Sequence, residues 1–98
     1  MIHVIVRHKV SDYARWKDSF DAHLSARKAG GELNYRLFTS VEDPRDVTIM
    51  MDWDGLENAR KFLKSDDLKQ AMKNAGVVGE PEISFVEDAM TLRRSAAD

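Results

Sequence analysis

The stretch Val47-Thr48-Ile49-Met50-Met51-Asp52-Trp53-Asp54-Gly55-Leu56-Glu57 decides the fold, because inside it the apolar spacing passes from that of a strand to that of a helix. From Val47 to Trp53 the residues are mostly β-branched, aromatic or methionine, and Ile49, Met51 and Trp53 alternate with Thr48, Met50 and Asp52. Asp54-Gly55-Leu56-Glu57 has the form of a capping box with an acidic cap, and Ala59, Phe62 and Leu63 then fall on one helical face. Ser65-Asp66-Asp67 restarts a cap, and Leu68, Ala71, Met72 and Ala75 continue the stripe.

Upstream, Glu42-Asp43-Pro44-Arg45-Asp46 reads as a turn that joins this strand to an earlier one, Leu33 to Val41. Before that, Gly30-Gly31 ends a helix whose inner positions are Tyr13, Trp16, Phe20, Leu24 and Arg27 and whose start is capped by Ser11-Asp12. A first strand, Ile2 to His8, precedes it. Downstream, Gly76, Gly79 and Pro81 form a loop before a last strand, Ile83 to Ala89. The expected domain is 1–90, and 91–98 is a polar tail that frays.

Strand, helix, strand, strand, helix, strand is an α+β order, the ferredoxin-like βαββαβ unit. Right-handed crossovers then put both helices on one face of an antiparallel sheet of order 4-1-3-2. The chain has 98 residues, enough for one core, and 43% hydrophobic against 33% charged content is ordinary globular usage. A net charge of -2, with basic and acidic residues interspersed, argues against nucleic acid as a partner. No cysteine is present, which excludes thiolate chemistry and disulfides and fits a reducing compartment, here expected to be the cytoplasm. No apolar run is long enough for a membrane span.

Setting Val41 opposite Val47 fixes a register to within about two residues. Ile2, Val4, Val6, Tyr35, Leu37, Ile49, Met51, Trp53, Ile83 and Phe85 then face the helices. The other face carries Arg36, Asp52, His3 and Asp88 in one row, Phe38, Met50, Ile5 and Val86 in the next, and Ser40, Thr48, Arg7 and Ser84 in the third. An apolar row facing water is unusual for an antiparallel sheet, and neither helix is left to cover it. The expected cover is the same face of a second copy, a homodimer around a two-fold axis.

Trp53-Asp54-Gly55-Leu56-Glu57, followed by Phe62-Leu63-Lys64-Ser65-Asp66-Asp67-Leu68-Lys69-Gln70-Ala71, resembles the antibiotic biosynthesis monooxygenase-like dimeric α+β barrels. The resemblance implies a pocket between helices and sheet and an activity such as cofactor-independent, quinone-forming oxygenation, with neither flavin nor metal. Haem-degrading members pair that Trp with an Asn on the first strand and a helix His; here the first strand has no Asn and the helix position is Leu63. The Asn and Tyr of the quinone-forming members correspond to Ile49 and Ala59, so only Trp53 matches.

Two candidate sites follow. A pocket floored by Tyr35 and Trp53, with His23 as acid/base, would suit a flat aromatic or quinol-like ligand; the preferred reading has Trp53, Tyr35, Trp16 and Phe20 as core and His23 as a boundary residue. The row of His3, Arg36, Asp52 and Asp88 would be a proton-transfer group, a divalent-metal site, or an ion-pair network that orients the dimer, and the last is preferred. Arg7 and His8 would bind an anion near the opposite end or serve as solvated edge charge, and the latter is preferred. The function expected is a small-molecule enzyme or binder, with a non-catalytic, stress-responsive type of dimeric barrel as the alternative.

Overall fold

The β-branched run at the N-terminus forms β1 (Ile2–Val10), one of the two inner strands of the sheet. It pairs antiparallel with β3 (Asp46–Trp53) on one side and β4 (Val77–Glu87) on the other. β2 (Glu32–Thr39) lies outside β3, so the sheet order is β2-β3-β1-β4, the expected 4-1-3-2. This is a computed structural model, and it describes residues 1–94; Ser95 to Asp98 of the expected tail lie outside the described residues.

Alternation along the strands builds the core. Val4, Val6 and Val10 from β1 and Val47, Ile49, Met51 and Trp53 from β3 are buried against Trp16, Phe20, Ala59 and Ala75. Four helices cover this face: α1 (Tyr13–Ala22), α2 (Leu24–Gly30), α3 (Leu56–Leu63) and α4 (Asp66–Asn74). The first helical stretch is broken at His23, whose N–H is shared between the Ser19 and Phe20 carbonyls before α2 resumes. Ser65 caps α4 by accepting from the Leu68 N–H, as its sequence pattern foretells, and Asp12 caps α1 through the Arg15 N–H.

The capping box at Asp54 does not form. Gly55 occupies the cap position of α3 without a side-chain bond, and the Asp54 carboxylate instead accepts from the Asn58 side chain. It also lies against Gly31, where φ is +121° and a Cβ would strike the carboxylate, so both backbone and space demand glycine there.

Two registers depart from expectation by two residues each. Thr39, not Val41, pairs with Val47, because the loop closes through Ser40 N–H to the Asp46 carbonyl and is longer than the turn signal suggests. β4 starts at Val77, well ahead of Ile83, and its register slips between Arg7 and Lys9, where Gly79 adopts a φ of +75°. Gly79 and Pro81, read as loop residues, therefore sit in a bulged edge strand, a position that tolerates a missing N–H. No helix among the described residues is long and apolar enough to cross a membrane.

Candidate functional site

Positions 19, 23 and 27 are spaced by fours along α1 and α2, so Ser19, His23 and Arg27 run as one polar strip down a wall that is otherwise apolar. That wall belongs to a cavity between the helices and the sheet. Trp16 and Phe20 flank the strip, Ile49 and Met51 of β3 make the floor, and Phe62 and Met72 close over it from α3 and α4. The cavity measures about 60 Å³, room for a few water molecules. An aromatic ring needs more, since a cavity that holds benzene is on the order of 150 Å³. His23 and Phe62, with ring centroids 6.0 Å apart, also border an outer cleft of about 410 Å³ that carries Asp54, Asn58, Lys61 and Asp67. The two rings thus stand between the outer cleft and the chamber.

The expected floor of Tyr35 and Trp53 is replaced. Trp53 faces the core but is 1% exposed, lies behind Phe62 at 5.2 Å, and does not line the cavity. The edge of its ring packs beside Gly30, where a Cβ would meet it in ordinary contact and press instead on Phe62. Tyr35 stands on the far side of Phe20, ring to ring at 5.0 Å, and is partly exposed on the edge strand. Of the three residues His23, Tyr35 and Trp53, only His23 reaches the chamber. Two Trp and Tyr positions on the inner face of the sheet looked equivalent to Ile49 and Met51 in sequence; the fourfold helix strip, not strand parity, decides which of them the chamber touches.

Arg27 was legible only as an inner-face helix position, and it is the most constrained polar group of the site. It is 3% exposed, and its Nε donates to Glu32 Oε2 at 2.8 Å. Nη1 donates to the Phe20 carbonyl, and the guanidinium carbon lies 3.6 Å over the Phe20 ring. Nη2 has no partner. Burial is the larger influence on Glu32 and holds its pKa above the ordinary glutamate value, against the opposing pull of Arg27. A charged residue in step with Trp16 and Phe20, followed by an acid just past a Gly-Gly turn, is the sequence signal that marks the pair.

On the open face, His3 lies between two carboxylates. Nδ1 is 2.6 Å from Asp52 Oδ1, and Nε2 is 2.6 Å from Asp88 Oδ1. An ionised carboxylate at each nitrogen favours a proton on both, the imidazolium form. Hydrogen bonding first to Asp88 and then to Asp52 raises its pKa above the ordinary histidine value. In that form both nitrogens donate and neither offers a lone pair to a metal. Arg36 is not part of this cluster: the two-residue shift of β2 sets it opposite Met50, with its guanidinium 5.0 Å from the Phe38 ring, and puts Asn34 beside Asp52. Likewise Val86, not Asp88, pairs with His3, and Asp88 reaches the ring from beyond the strand end.

The four apolar residues of the open face therefore run diagonally. Met50 and Ile5 remain directly opposite, while Phe38 pairs with Thr48 and Val86 with His3. Phe38 and Val86 are about two-fifths exposed. The stripe is flanked by the His3 cluster on one side and by Arg7, bound to both Asp46 carboxylate oxygens, on the other. His8 is no edge charge. It faces the core at 5% exposure, edge-on to Trp16 at 5.5 Å, with both ring nitrogens unpartnered and its pKa lowered by burial.

No family sequence model and no curated protein matches the chain. Solved structures do. A protein from Bordetella bronchiseptica, provisionally named an antibiotic biosynthesis monooxygenase, superposes with a TM-score of 0.77 at 19% identity, over 91% of this chain and 97% of that one. SnoaB, a cofactor-independent oxygenase from Streptomyces nogalater, superposes with a TM-score of 0.77 at 13% identity, over 95% and 97%. A conserved protein from Methanosarcina mazei does so with a TM-score of 0.69 at 17% identity, over 87% and 89%. The chain shares the fold of these solved structures.

Proposed function

We propose that this protein is a cytoplasmic homodimer that takes a flat aromatic molecule between its helices and its sheet and oxidises it without a cofactor. The observation that carries the reading is the polar strip of Ser19, His23 and Arg27 along an otherwise apolar chamber. Apolar walls with a few convergent polar groups are the usual form of a small-molecule site. The likeness in fold to a cofactor-independent oxygenase supports the reaction class.

In this reading His23 removes the hydroxyl proton of a hydroxyarene at the mouth of the chamber, and the aryloxide reacts with dioxygen. One oxygen atom becomes the second carbonyl of a quinone. The other leaves as water, which carries the hydroxyl hydrogen and the ring hydrogen. Phe62 has to swing aside for a ring to enter, which joins the chamber to the outer cleft. The diagonal stripe of Phe38, Met50, Ile5 and Val86 is the homodimer face, with the His3 cluster and the Arg7–Asp46 pair setting its orientation.

The test is an amide-shift titration of isotopically labelled protein with 1-naphthol. Saturable shifts at Ser19, His23 and Phe62 are expected, and they should vanish in Met72→Trp, where the added ring fills the chamber. Phe62→Ala should bind more tightly and consume dioxygen faster in the presence of 1-naphthol. Shifts that never saturate, or that persist in the filled variant, would overturn the site. Binding without oxygen uptake in either protein would favour the non-catalytic barrel.

A further inference from the structure

We infer that Arg27 is a specificity-determining binding residue, and that its free Nη2 is filled by a neutral carbonyl oxygen of the ligand. The inference rests on the aromatic-ligand reading above and narrows it to molecules with a ketone, quinone or lactone carbonyl beside the ring.

Three facts lead there. Arg27 lines the chamber and is almost fully buried, yet one of its guanidinium nitrogens has no acceptor. A buried N–H left unpaired costs free energy, and native structures rarely keep one unless something fills it. The other two nitrogens are engaged, Nε by Glu32 and Nη1 by the Phe20 carbonyl, and stacking on Phe20 holds the plane of the group. The fork is thus prearranged, and neither N–H of Nη2 has an acceptor among the described residues.

Charge then chooses the kind of acceptor. Arg27 and Glu32 already neutralise one another, with Glu32 only 6% exposed. A ligand carboxylate would bring a second buried anion with no counter-charge, and the low dielectric penalises that heavily. A carbonyl supplies the missing lone pair and adds no charge. The aryloxide proposed beside His23 is a different case, since the imidazolium formed with it is its counter-ion. An aromatic ketone would therefore lie with its oxygen at Arg27 and its hydroxyl one helical turn away at His23.

Matched ligands test this. Titrations with 1-tetralone, tetralin and tetralin-1-carboxylate, read by amide shifts, compare the same bicyclic frame with a carbonyl, with neither group, and with an anion. The expected order is tetralone about tenfold tighter than tetralin, with the carboxylate weakest. In Arg27→Met/Glu32→Leu the tetralone advantage should fall to within about twofold, while tetralin affinity holds. Because that variant alters the core, the side-chain ¹⁵N resonances of Arg27 in the unaltered protein give a second readout. They should move with tetralone and not with tetralin. Equal affinity of tetralone and tetralin at the chamber would overturn the role of Arg27 and leave the aromatic site standing. Failure of all three ligands to bind would remove both.

Discussion

Replacing Glu32 by leucine should be among the most damaging single changes the fold can receive, although it adds an apolar side chain to a buried site. The reason lies in what remains. An arginine guanidinium carries its charge into the protein interior, and Arg27 is 3% exposed. Without Glu32, its Nε joins Nη2 as a buried donor lacking an acceptor, since only Nη1 keeps the Phe20 carbonyl. Breaking a buried pair by removing one partner costs about 3–5 kcal/mol. A domain of this length is stable by about 5–15 kcal/mol, so the loss is a large share of the total. It corresponds to a fall in Tm on the order of 15–30 °C. Arg27→Met/Glu32→Leu, which removes both charges and keeps the volume roughly constant, should recover most of this and end within about 2 kcal/mol of the starting protein. Thermal and urea unfolding of the three proteins would measure the cycle. If the single and double variants were equally unstable, the cost would lie in lost packing and the charge argument would fail.

Two histidines should impose opposite pH dependences. His3 has a raised pKa, so its clamp stabilises fully below about pH 6.5 and fades as pH rises through the folded value; the Tm difference between the protein and His3→Gln should shrink from pH 6 to pH 9, and a constant difference would refute the imidazolium. His8 has a lowered pKa, so its neutral form contributes fully above about pH 6.5 and that contribution is lost as pH falls; His8→Leu should flatten the acid limb of the stability profile and gain about 1–2 kcal/mol at neutral pH, because neither ring nitrogen has a partner to lose, and an unchanged acid limb would count against the assignment. Ile5→Asp should convert the proposed dimer to monomer in sedimentation, whereas Lys9→Asp, at the end of the same strand face, should leave it intact; a dimer unchanged in Ile5→Asp would locate the interface elsewhere.

Strand parity carried most of what could be read without coordinates. The alternation in Ile2 to His8 and Val47 to Trp53 places Val4, Val6, Ile49 and Met51 inward and His3, Ile5, Met50 and Asp52 outward, and aligning the start of β1 with the end of β3 gives their register. The contact of His3 with Asp52 and Asp88 follows as well, because long side chains forgive a slip of one pair. Arg36 did not survive the same slip, since a loop two residues longer moves it a full pair along the strand without changing its face. Such loops are set by local bonds, here Ser40 to Asp46 and Asp46 to Asp43, that apolar patterning does not encode. The chamber was harder still. Whether Trp53 or Met51 lines it depends on where the kink at His23 steers α2 and on where Phe62 comes to rest, and both are outcomes of tertiary packing. His8 was misjudged because a histidine between Arg7 and Lys9 reads as part of a charged run, while parity alone puts it on the core face.

β3 ties the two proposed surfaces together. Ile49 and Met51 form the floor of the chamber, and Met50, between them, points through the sheet to the middle of the apolar stripe. Successive side chains on a strand are fixed to opposite faces, so a partner that packs on Met50 also holds the backbone from which Ile49 and Met51 project. β3 is flanked by β1 and β2 and has no free edge through which to relax. A second copy on the open face would thus stiffen the chamber floor while leaving the helix side free, where Phe62 and Met72 supply the movement that admits a ring. Pairing and binding are expected to be linked through this strand. Ile5→Asp should accordingly weaken 1-naphthol binding although Ile5 lies on the far side of the sheet, and by reciprocity the ligand should strengthen the dimer by the same factor. Sedimentation with and without ligand would measure that factor; if naphthol bound monomer and dimer equally, the floor and the interface would be energetically separate.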